Sequence, residues 1–371
     1  MRMEIYYHVN NRSIHHAVEI QIAWVITIHV KTVIIPSEAT RSYIDMTIAR
    51  GQALLTNNLD NELSKNEIAA LKKIAQRIRR NLLVTVAEAG SGHSGGSLSE
   101  TDILTTLYYS ILAHDPNNPS LPSRDRFILS KAHACPALYT VLADRGYFSM
   151  GDLSSFRKID SHLQGHTKIG TPGVEMSGGS LGMGLSFGIG IALAGRVDSK
   201  SHDTYVLLGD GECDEGQVWE AAMAASHYRL DTITAIVDRN GIQNDRFTHE
   251  VMELEPLAQK WRAFGWKVLT VNGHSIPALY KAFMQAKKTK GQPTVIIAKT
   301  TKGKGVSFME NNPGFHGKAP SWDELAVALS ELGAKPEGKN SAWKADMLTM
   351  GYTAERVSSI SNAITQMSAS Q

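Results

Sequence analysis

The sequence predicts an α/β fold in which helices flank a parallel sheet. Short apolar runs with the length and composition of buried strands recur along the chain, at residues 204–208, 232–237, 266–271 and 294–299. Helical patterns lie between them, at residues 217–228 and 277–288. Because a strand, a crossover helix and a second strand give a parallel pair, this alternation predicts one parallel sheet with helices on its faces.

The first 60 residues match no element of this fold and form an unassigned N-terminal extension. An Ile- and Val-rich stretch at residues 17–35 is too interrupted by polar side chains to span a membrane, which takes about 20 apolar residues. It also lacks the compact apolar core and the cleavage site of a signal peptide. We interpret residues 1–45 as the product of an over-extended reading frame, because Met46 stands shortly before the first convincing helix. The alternative is a genuine β-rich tail.

Residues 61–320 are predicted to form the α/β domain. Apolar side chains at three- and four-residue spacing make residues 66–87 an amphipathic helix, and a second helix is predicted at 100–112. Residues 127–130 have the pattern of a strand. The glycine-rich apolar stretch 181–194 predicts a buried helix whose small residues allow close packing against a partner helix or a ligand.

Composition indicates a soluble domain with a sizeable core. The hydrophobic fraction is 42%, and the formal net charge is only +2, with the basic residues spread along the chain. Neither nucleic acid nor a membrane is therefore expected as a partner, and Lys302 and Lys304 are expected on the solvent side or near another chain. Cys135 and Cys213 lie 213 − 135 = 78 positions apart without a Cys-x-x-Cys pair, so no zinc site or disulfide framework is predicted. A cytoplasmic location fits this cysteine usage.

A Gly-Asp-Gly turn follows one of the predicted strands. Gly209 and Gly211 let the backbone approach a phosphate, and the carboxylate of Asp210 beside a diphosphate requires a hard divalent cation, for which magnesium fits best. Asn240 follows the next strand, 240 − 210 = 30 positions later, so both side chains are expected to face one ion at the same sheet edge. A dinucleotide fingerprint is the rival interpretation, but the spacing to Gly216 does not fit it. Taken alone, Gly-Asp-Gly is also a common strand-end turn.

Several further motifs occur together with this turn. In order they are Ser91-Gly92-His93-Ser94-Gly95-Gly96, residues 124–133 (RDRFILSKAH), Gly165-His166, Gly178-Gly179-Ser180-Leu181-Gly182, residues 209–216 (GDGECDEG), Asp238-Arg239-Asn240-Gly241-Ile242, Lys302-Gly303-Lys304-Gly305 and Phe315-His316-Gly317. Across roughly residues 64–320, the chain thereby resembles the N-terminal, diphosphate-binding part of transketolases. The resemblance implies the thiamine diphosphate-binding fold and a transferase of aldehyde or ketonic groups.

The resemblance also implies a metal and cofactor site. Asp210, the side chain of Asn240 and the carbonyl of Ile242 would hold Mg²⁺, or Ca²⁺ or Mn²⁺ in its place. Thiamine diphosphate would be the cofactor. The positions that match the family's cofactor-binding residues are His133, Gly179, Ser180, Leu181, Gly211, Asn240 and His316.

The histidines are the residues that distinguish transketolases from other thiamine diphosphate enzymes. His93, His166 and His316 resemble the family's catalytic residues, which bind the sugar and move protons as a carbon–carbon bond breaks. Side chains that titrate near neutral pH suit this work. Glu215 resembles a carboxylate near the subunit interface that communicates with the neighbouring active site. The remaining histidines considered are interpreted as surface or hydrogen-bonded core residues: His15, His16, His114, His202, His227, His249 and His274.

A pyrimidine-binding domain follows the diphosphate domain in continuous transketolase chains, and it carries a glutamate that activates the cofactor. Here residues 321–371 predict a C-terminal extension of short helices, with no second sheet. We therefore interpret the chain as the N-terminal subunit of a split transketolase that transfers a two-carbon ketol group from a ketose phosphate to an aldose phosphate. A C-terminal partner subunit would supply the pyrimidine-binding domain, and a heterotetramer is expected.

Two alternatives stay open. The chain could be a component of another thiamine diphosphate enzyme, such as a 2-oxo acid dehydrogenase or a deoxyxylulose-phosphate-synthase-like protein, or a non-catalytic cofactor-binding subunit. Ser130-Lys131-Ala132 and Thr167 depart from the commonest transketolase pattern. Pentose-pathway sugar phosphates are the default substrates, and apulose phosphate or sulfonated ketoses are the specialised ones. The sequence does not choose among them.

Overall fold

A five-stranded parallel sheet forms the centre of the protein, whose computed structural model describes residues 62–244 and 246–369. The strands of the sheet pair in the order β1-β2-β3-β7-β6. They are β1 (Arg126–Leu129), β2 (Thr204–Gly209), β3 (Ile233–Arg239), β6 (Lys267–Asn272) and β7 (Thr294–Lys299), and a separate antiparallel ladder joins β4 (Ile242–Gln243) to β5 (Arg246–Phe247). The α/β class is confirmed, and each predicted strand forms within two residues of its expected bounds.

Eleven α-helices surround the sheet in the described part of the chain. Those before the third strand are α1 (Lys65–Ala89), α2 (Ser94–Ser110), α3 (Cys135–Asp144), α4 (Met183–Val197) and α5 (Gly216–His227). Those after it are α6 (Thr248–Val251), α7 (Leu257–Ala263), α8 (Ile276–Lys288), α9 (Trp322–Glu331), α10 (Ala342–Thr349) and α11 (Ala354–Ala369). No described helix is both long and apolar enough to cross a membrane. The interpretations of residues 1–45 and 17–35, and of His15 and His16, lie outside the described residues.

Helices cover both faces of the sheet. Side chains alternate between the two faces along each strand, so each face offers side chains for helices to pack on. Val206 and Leu208 of β2 point to the face where α4, α5 and α7 pack, and they belong to one core cluster with Leu185 and Trp261. Tyr205, adjacent in sequence, packs on Phe283 of α8 on the other face, with ring centroids 6.0 Å apart. Strands β1, β2, β3 and β7 are buried on both faces, which is why they read as continuous apolar runs, whereas β6 at the edge of the sheet is only partly buried.

Helix α1 begins with a capping box. The backbone N–H of Ser64 donates to Glu67 Oε2 at 2.8 Å, and the backbone N–H of Glu67 donates to the Ser64 hydroxyl at 3.3 Å. The helix ends at Gly90, which has a left-handed φ of 62°. Its apolar face packs against α2 and α3. The predicted helix at 66–87 is therefore correct and extends by one or two residues at each end.

Helix α2 begins six residues earlier than the sequence suggested. It starts at Ser94, directly after His93, and contains Gly95 and Gly96 in its first turn. Glycine lowers helix propensity by roughly 1 kcal/mol relative to alanine, so the pattern placed the start at residue 100. Almost the whole of α2 is buried, and its packing against α1, α3 and α8 stabilises a first turn that its composition does not favour.

Helix α4 forms where the sequence predicts a buried helix, and one of its sides is buried within the described chain. Gly184 and Gly188 lie against the sheet: a Cβ on them would lie 2.3 Å from Ser130 and 2.5 Å from Val206, respectively. The small residues therefore allow close packing on the sheet, and packing of this helix against a partner helix or a ligand stays a prediction. Met183 and Phe187 are about 40% exposed on the opposite side.

The carboxyl ends of the parallel strands define one edge of the sheet. Ser130 follows β1, Asp210 follows β2, Asn240 follows β3 and Thr300 follows β7. These four loops are neighbours because their strands are adjacent in the sheet. Loops at this edge are where open α/β sheets bind ligands.

Candidate active site

Four histidines from distant parts of the sequence meet above this edge. The ring of His93 lies 5.0 Å from that of His133, 6.1 Å from that of His166 and 5.3 Å from that of His316, between centroids. His133 and His316 are also 5.0 Å apart. The structure thus brings together all four histidines that the sequence selected.

Each histidine is held by a different element. His93 is the residue before α2, His133 lies in a 3-10 turn that follows β1, and His316 follows a 3-10 turn at Pro313–Phe315. His166 lies in the irregular segment between α3 and α4, where its backbone carbonyl accepts a hydrogen bond from the Tyr139 hydroxyl at 2.9 Å. The cluster is therefore a product of the tertiary fold.

All four imidazoles have a pKa below the ordinary histidine value. Burial, followed by the charges of neighbouring groups, lowers the pKa of His93 to about 4 and that of His316 to about 3. Burial and the charge of Lys131 hold the pKa of His133 well below its usual range. Burial and the guanidinium of Arg157 lower the pKa of His166. At neutral pH the four rings are uncharged and can accept protons or donate hydrogen bonds.

The glycines of the Ser-Gly-His loop leave room for the neighbouring segments. A Cβ on Gly95 would lie 2.8 Å from the carbonyl oxygen of Phe315, and the Gly95 carbonyl accepts the N–H of Gly303 at 3.0 Å. A Cβ on Gly96 would lie 3.5 Å from both His133 Nε2 and Lys131 Nζ. The contact at Gly95 explains glycine at that position, whereas the distances at Gly96 are those of ordinary van der Waals contact.

Asp210 and the turn at residues 240–242 also come together, as the sequence predicted. The backbone N–H of Gly241 donates to Asp210 Oδ2 at 2.6 Å, which joins the loop after β2 to the loop after β3. Arg239 Nη1 donates to the same oxygen at 3.0 Å. The Asn240 amide oxygen accepts the N–H of Ile242 at 3.1 Å. One carboxylate, one amide and one carbonyl group therefore lie on two hydrogen-bonded loops.

These groups suit a hard divalent cation. All three offer oxygen atoms, the ligands that magnesium and calcium prefer. Burial raises the pKa of Asp210, as expected for a carboxylate that lacks a full set of compensating charges. A Cβ on Gly211 would lie only 2.0 Å from the Gln243 side chain, so this position leaves no room for a side chain. Among the described residues, no group of three or more His, Cys, Asp or Glu side chains forms a competing metal site.

A buried ionic network lies beneath the site and was not assigned from the sequence. Lys131 Nζ pairs with Asp238 Oδ2 at 2.5 Å and with Glu100 Oε2 at 3.2 Å, and all three side chains are at most 1% exposed. Asp238 also accepts a hydrogen bond from the Asn240 amide nitrogen at 3.1 Å, which directs the other side of that amide away from Asp238. Burial raises the pKa of Glu100 to about 8. Burial also acts to raise the pKa of Asp238, but the charge of Lys131 and the hydrogen bonds to Asp238 together lower it.

Lys302 is the main site residue that the sequence misplaced. It was expected near solvent or a partner, yet it is only 2% exposed. Its ammonium group hydrogen-bonds to the carbonyl of Ile242 at 3.1 Å and to His316 Nδ1 at 2.7 Å. Burial, then the charge of Lys131, lowers its pKa to about 8. Lys304, by contrast, is partly exposed and pairs with Glu310 at 3.0 Å.

The other predicted positions lie just before α4 and at the start of α5. Gly179, Ser180 and Leu181 are exposed just before α4, and the N–H of the next residue, Gly182, donates to Glu212 Oε1 at 3.0 Å. Glu215 is exposed at the start of α5, and a Cβ added to Gly182 would lie 2.9 Å from the Glu215 Cβ. Glu215 thus adjoins the predicted cofactor-lining segment and has no ring contact with the histidines in the described residues.

Comparison with known proteins identifies relatives that this chain matches over almost their whole length. The family model described as "Transketolase, thiamine diphosphate binding domain" matches residues 70–359. The chain is 43% identical over 263 residues to the 6-deoxy-6-sulfo-D-fructose transketolase subunit SqwG of Clostridium sp. (strain MSTE9), a match that covers 71% of this chain and 96% of the relative. It is 40% identical over 271 residues to an apulose-4-phosphate transketolase subunit of Phocaeicola vulgatus, covering 73% of this chain and 96% of the relative.

Longer transketolases match over about half of their length. Human transketolase is 40% identical over 276 residues, which cover 74% of this chain and 44% of the human protein. Among solved structures, transketolase from Campylobacter jejuni superposes with a TM-score of 0.70 at 32% identity, covering 79% of this chain and 48% of that one. The chain therefore spans about half of these proteins.

Proposed function

Because this chain belongs to the transketolase family through its thiamine diphosphate-binding domain, we propose that it is the N-terminal subunit of a split transketolase. Its reaction is the reversible transfer of a two-carbon ketol group from a ketose phosphate to an aldose phosphate. Relatives that are themselves named as subunits are covered to 96% of their length, whereas transketolases with longer chains are covered to less than half. This difference supports a two-chain enzyme.

The observation that carries the proposal is the cluster of His93, His133, His166 and His316 above the loops of Asp210 and Asn240. The metal and diphosphate positions are common to thiamine diphosphate enzymes. Four convergent, uncharged histidines suit repeated proton transfer to and from a polyhydroxylated sugar.

In this proposal the site has a metal end and a substrate end. Asp210, the Asn240 amide oxygen and the Ile242 carbonyl would bind a divalent cation, which would compensate the charge of the diphosphate, and Gly211 would contact the diphosphate. The buried Asp238 holds the Asn240 amide, and Lys131 compensates the charge of Asp238. Gly179, Ser180 and Leu181, next to α4, would line the cofactor.

At the substrate end, neutral imidazoles do the proton chemistry. Thiamine diphosphate, when bound, supplies a nucleophilic carbon that carries the two-carbon fragment. His93 and His166 are exposed enough to reach sugar hydroxyls, and their low pKa leaves them free to accept a proton and return it. The bond from Lys302 to His316 Nδ1 makes that nitrogen the acceptor, so His316 presents an Nε2–H donor toward a sugar oxygen.

A partner chain completes this proposal. It would bring the pyrimidine-binding domain, with its cofactor-activating glutamate, and a heterotetramer is the expected assembly. Sugar phosphates are the proposed substrates; relatives act on apulose-4-phosphate and on 6-deoxy-6-sulfo-D-fructose by their names, and both belong in the substrate panel. Glu215 would lie toward the subunit interface, and a cytoplasmic location remains an expectation.

The decisive experiment measures ketol transfer from a ketose phosphate to ribose 5-phosphate with thiamine diphosphate and magnesium. The chain is assayed alone and mixed with the product of its neighbouring gene. Transfer by the mixture but not by this chain alone supports the split enzyme. Transfer by this chain alone refutes the proposal that a partner must supply the pyrimidine-binding domain. Inactivity of both, across phosphorylated and sulfonated ketoses, counts against ketol transfer by this pair.

A variant with a disabled metal site tests whether the transfer measured comes from this chain or from a contaminating enzyme. Asp210→Asn in the active mixture is expected to lower transfer at least about a hundredfold, because it removes the charged metal ligand. Asp214→Asn, in the same turn but exposed, is expected to keep most activity. Equal activity of the two variants contradicts the assignment of Asp210. Decarboxylation of 2-oxo acids by the mixture would favour the alternative, a 2-oxo acid dehydrogenase component.

A further inference from the structure

We propose that His274, which touches none of the four site histidines, is a positioning residue that fixes the segment carrying Lys302 and His316. This segment, residues 300–317, follows β7 and crosses above the cofactor edge. The consequence for catalysis rests on the proposed function, whereas the anchoring itself is a property of the folded chain.

His274 connects two elements through its two ring nitrogens. It lies in the loop between β6 and α8, and its Nε2 accepts the backbone N–H of Thr301 at 2.8 Å. Because Nε2 is the acceptor, the proton of the neutral ring is on Nδ1, which donates to Asp102 Oδ2 at 2.8 Å. The imidazole therefore links the 300–317 segment to helix α2.

Asp102 is itself held in place. Arg79 of α1 donates to both carboxylate oxygens, at 3.2 and 2.7 Å, and to the backbone carbonyl of Leu98. Burial acts to raise the pKa of Asp102, but the charge of Arg79 and the hydrogen bond from His274 outweigh it and the pKa is lowered. The carboxylate stays charged and orients the ring, so His274 has a fixed tautomer and a fixed direction.

The anchored position adjoins two residues that belong to the site. Thr300 donates its hydroxyl to Asp238, the residue that holds Asn240. Lys302 bonds to the Ile242 carbonyl and to His316 Nδ1. Residues 300, 301 and 302 are therefore each held by a hydrogen bond. Of the three, the bond to Thr301 is the one whose partner, His274, lies outside the site. Loss of the hydrogen bond between Thr301 and His274 would let the backbone move Lys302, and with it the bonded His316, away from their positions in the site.

His114 provides a matched control. It is also a partly buried, hydrogen-bonded histidine: its Nε2 contacts the Tyr108 carbonyl at 3.0 Å and its Nδ1 contacts the Tyr147 hydroxyl at 2.9 Å. Neither partner lies in the 300–317 segment. Loss of either histidine should cost general stability, but only the loss of His274 should free that segment.

The test is hydrogen exchange of the full chain, followed by mass spectrometry of peptides that cover residues 300–317. In His274→Ala we expect exchange in this segment to speed up about fivefold or more, the size expected for one lost buried hydrogen bond, and no such local change in His114→Ala. His274→Gln, whose side-chain oxygen reaches the Nε2 position, should restore protection. His274→Asn, which reaches only the Nδ1 position, should not.

Equal exchange of the segment in His274→Ala and His114→Ala would overturn the proposal, as would equal behaviour of the Gln and Asn variants. If the assembled enzyme is active, His274→Ala should also raise the KM for thiamine diphosphate more than His274→Gln does. If no ketol transfer is found, the exchange result still decides the anchoring, so failure of this proposal and failure of the proposed function are distinguishable.

Discussion

At the scale of single residues, burial and neighbouring charge set the chemistry of the site. His316 and Lys302 share one hydrogen bond of 2.7 Å, and both have a pKa lowered by burial and by nearby positive charge. The short contact is stable because the ring nitrogen is unprotonated and accepts from the ammonium group. The charge of Lys302 therefore helps to keep the His316 ring neutral.

Replacing Lys302 should change His316 in a defined direction. Burial is the largest cause of the low His316 pKa of about 3, and the Lys302 charge is the next. Lys302→Met keeps most of the buried volume and removes the charge, so the pKa of His316 should rise but stay below the ordinary 6.5. An NMR titration of histidine-labelled chain measures this. Lys304→Met, whose side chain is paired with Glu310, is the control, and an equal shift in both variants would contradict the prediction.

The low pKa of His93 predicts a pH dependence of stability. Its folded pKa is about 4, below the ordinary value of 6.5, so the unfolded chain binds more protons between these two pH values. The free energy of unfolding should therefore fall as pH drops from about 6.5 to about 4, and be unaffected by this group above that window. Urea unfolding at about pH 7.5 and about pH 5 should show a smaller loss for His93→Asn than for the unchanged chain. An identical pH dependence of the two proteins would rule out this contribution.

At the scale of elements, the glycines of α4 have two different surroundings. A Cβ on Gly188 would lie 2.5 Å from Val206 Cγ2, whereas a Cβ on Gly190 would meet nothing within 4 Å. The helix can approach β2 closely only because the first of these positions lacks a side chain. The second position gains nothing from glycine within the described part of this chain.

This difference predicts opposite effects of the same substitution. Gly190→Ala should stabilise the chain by up to about 1 kcal/mol, the helix propensity gain of alanine over glycine. Gly188→Ala should destabilise it, because overpacking costs about 1–3 kcal/mol and outweighs that gain. Urea unfolding of the two variants gives both free energies. Destabilisation by Gly190→Ala would show that its face is covered in the folded protein.

At the scale of the whole molecule, the C-terminal helices belong to the core of the described chain. Helix α9 packs against α1, and its Leu325 and Leu329 are fully buried. Arg80 of α1 donates to the Leu332 carbonyl at 3.0 Å, and Glu331 accepts from the backbone of Ser307 at 2.7 Å. The predicted extension at 321–371 therefore contributes apolar surface to the same core, and its contacts reach the segment that carries His316.

Two truncations should behave differently. A chain that begins at Asp60 keeps every buried residue of the described core, so its melting temperature should stay within a few degrees of the full chain. A chain that also ends at Pro320 exposes the face of α1 that α9 covers, and it should melt at a much lower temperature or aggregate. Thermal unfolding followed by circular dichroism measures both. A large loss of stability in the first truncation would contradict the assignment of residues 1–60 as an extension.

The sequence by itself determined the α/β class, the strand positions and the selection of His93, His133, His166 and His316. These follow from local signals: apolar runs of strand length, helical periodicity, and motifs in a family's order. The tertiary structure decided the burial of Lys302, the network of Glu100, Lys131 and Asp238, and the contact of His274 with Thr301. The reason is physical: the partners in each case lie on helices, strands and loops that are distant in sequence, and only the packed fold sets which of them meet and which charges lose their water.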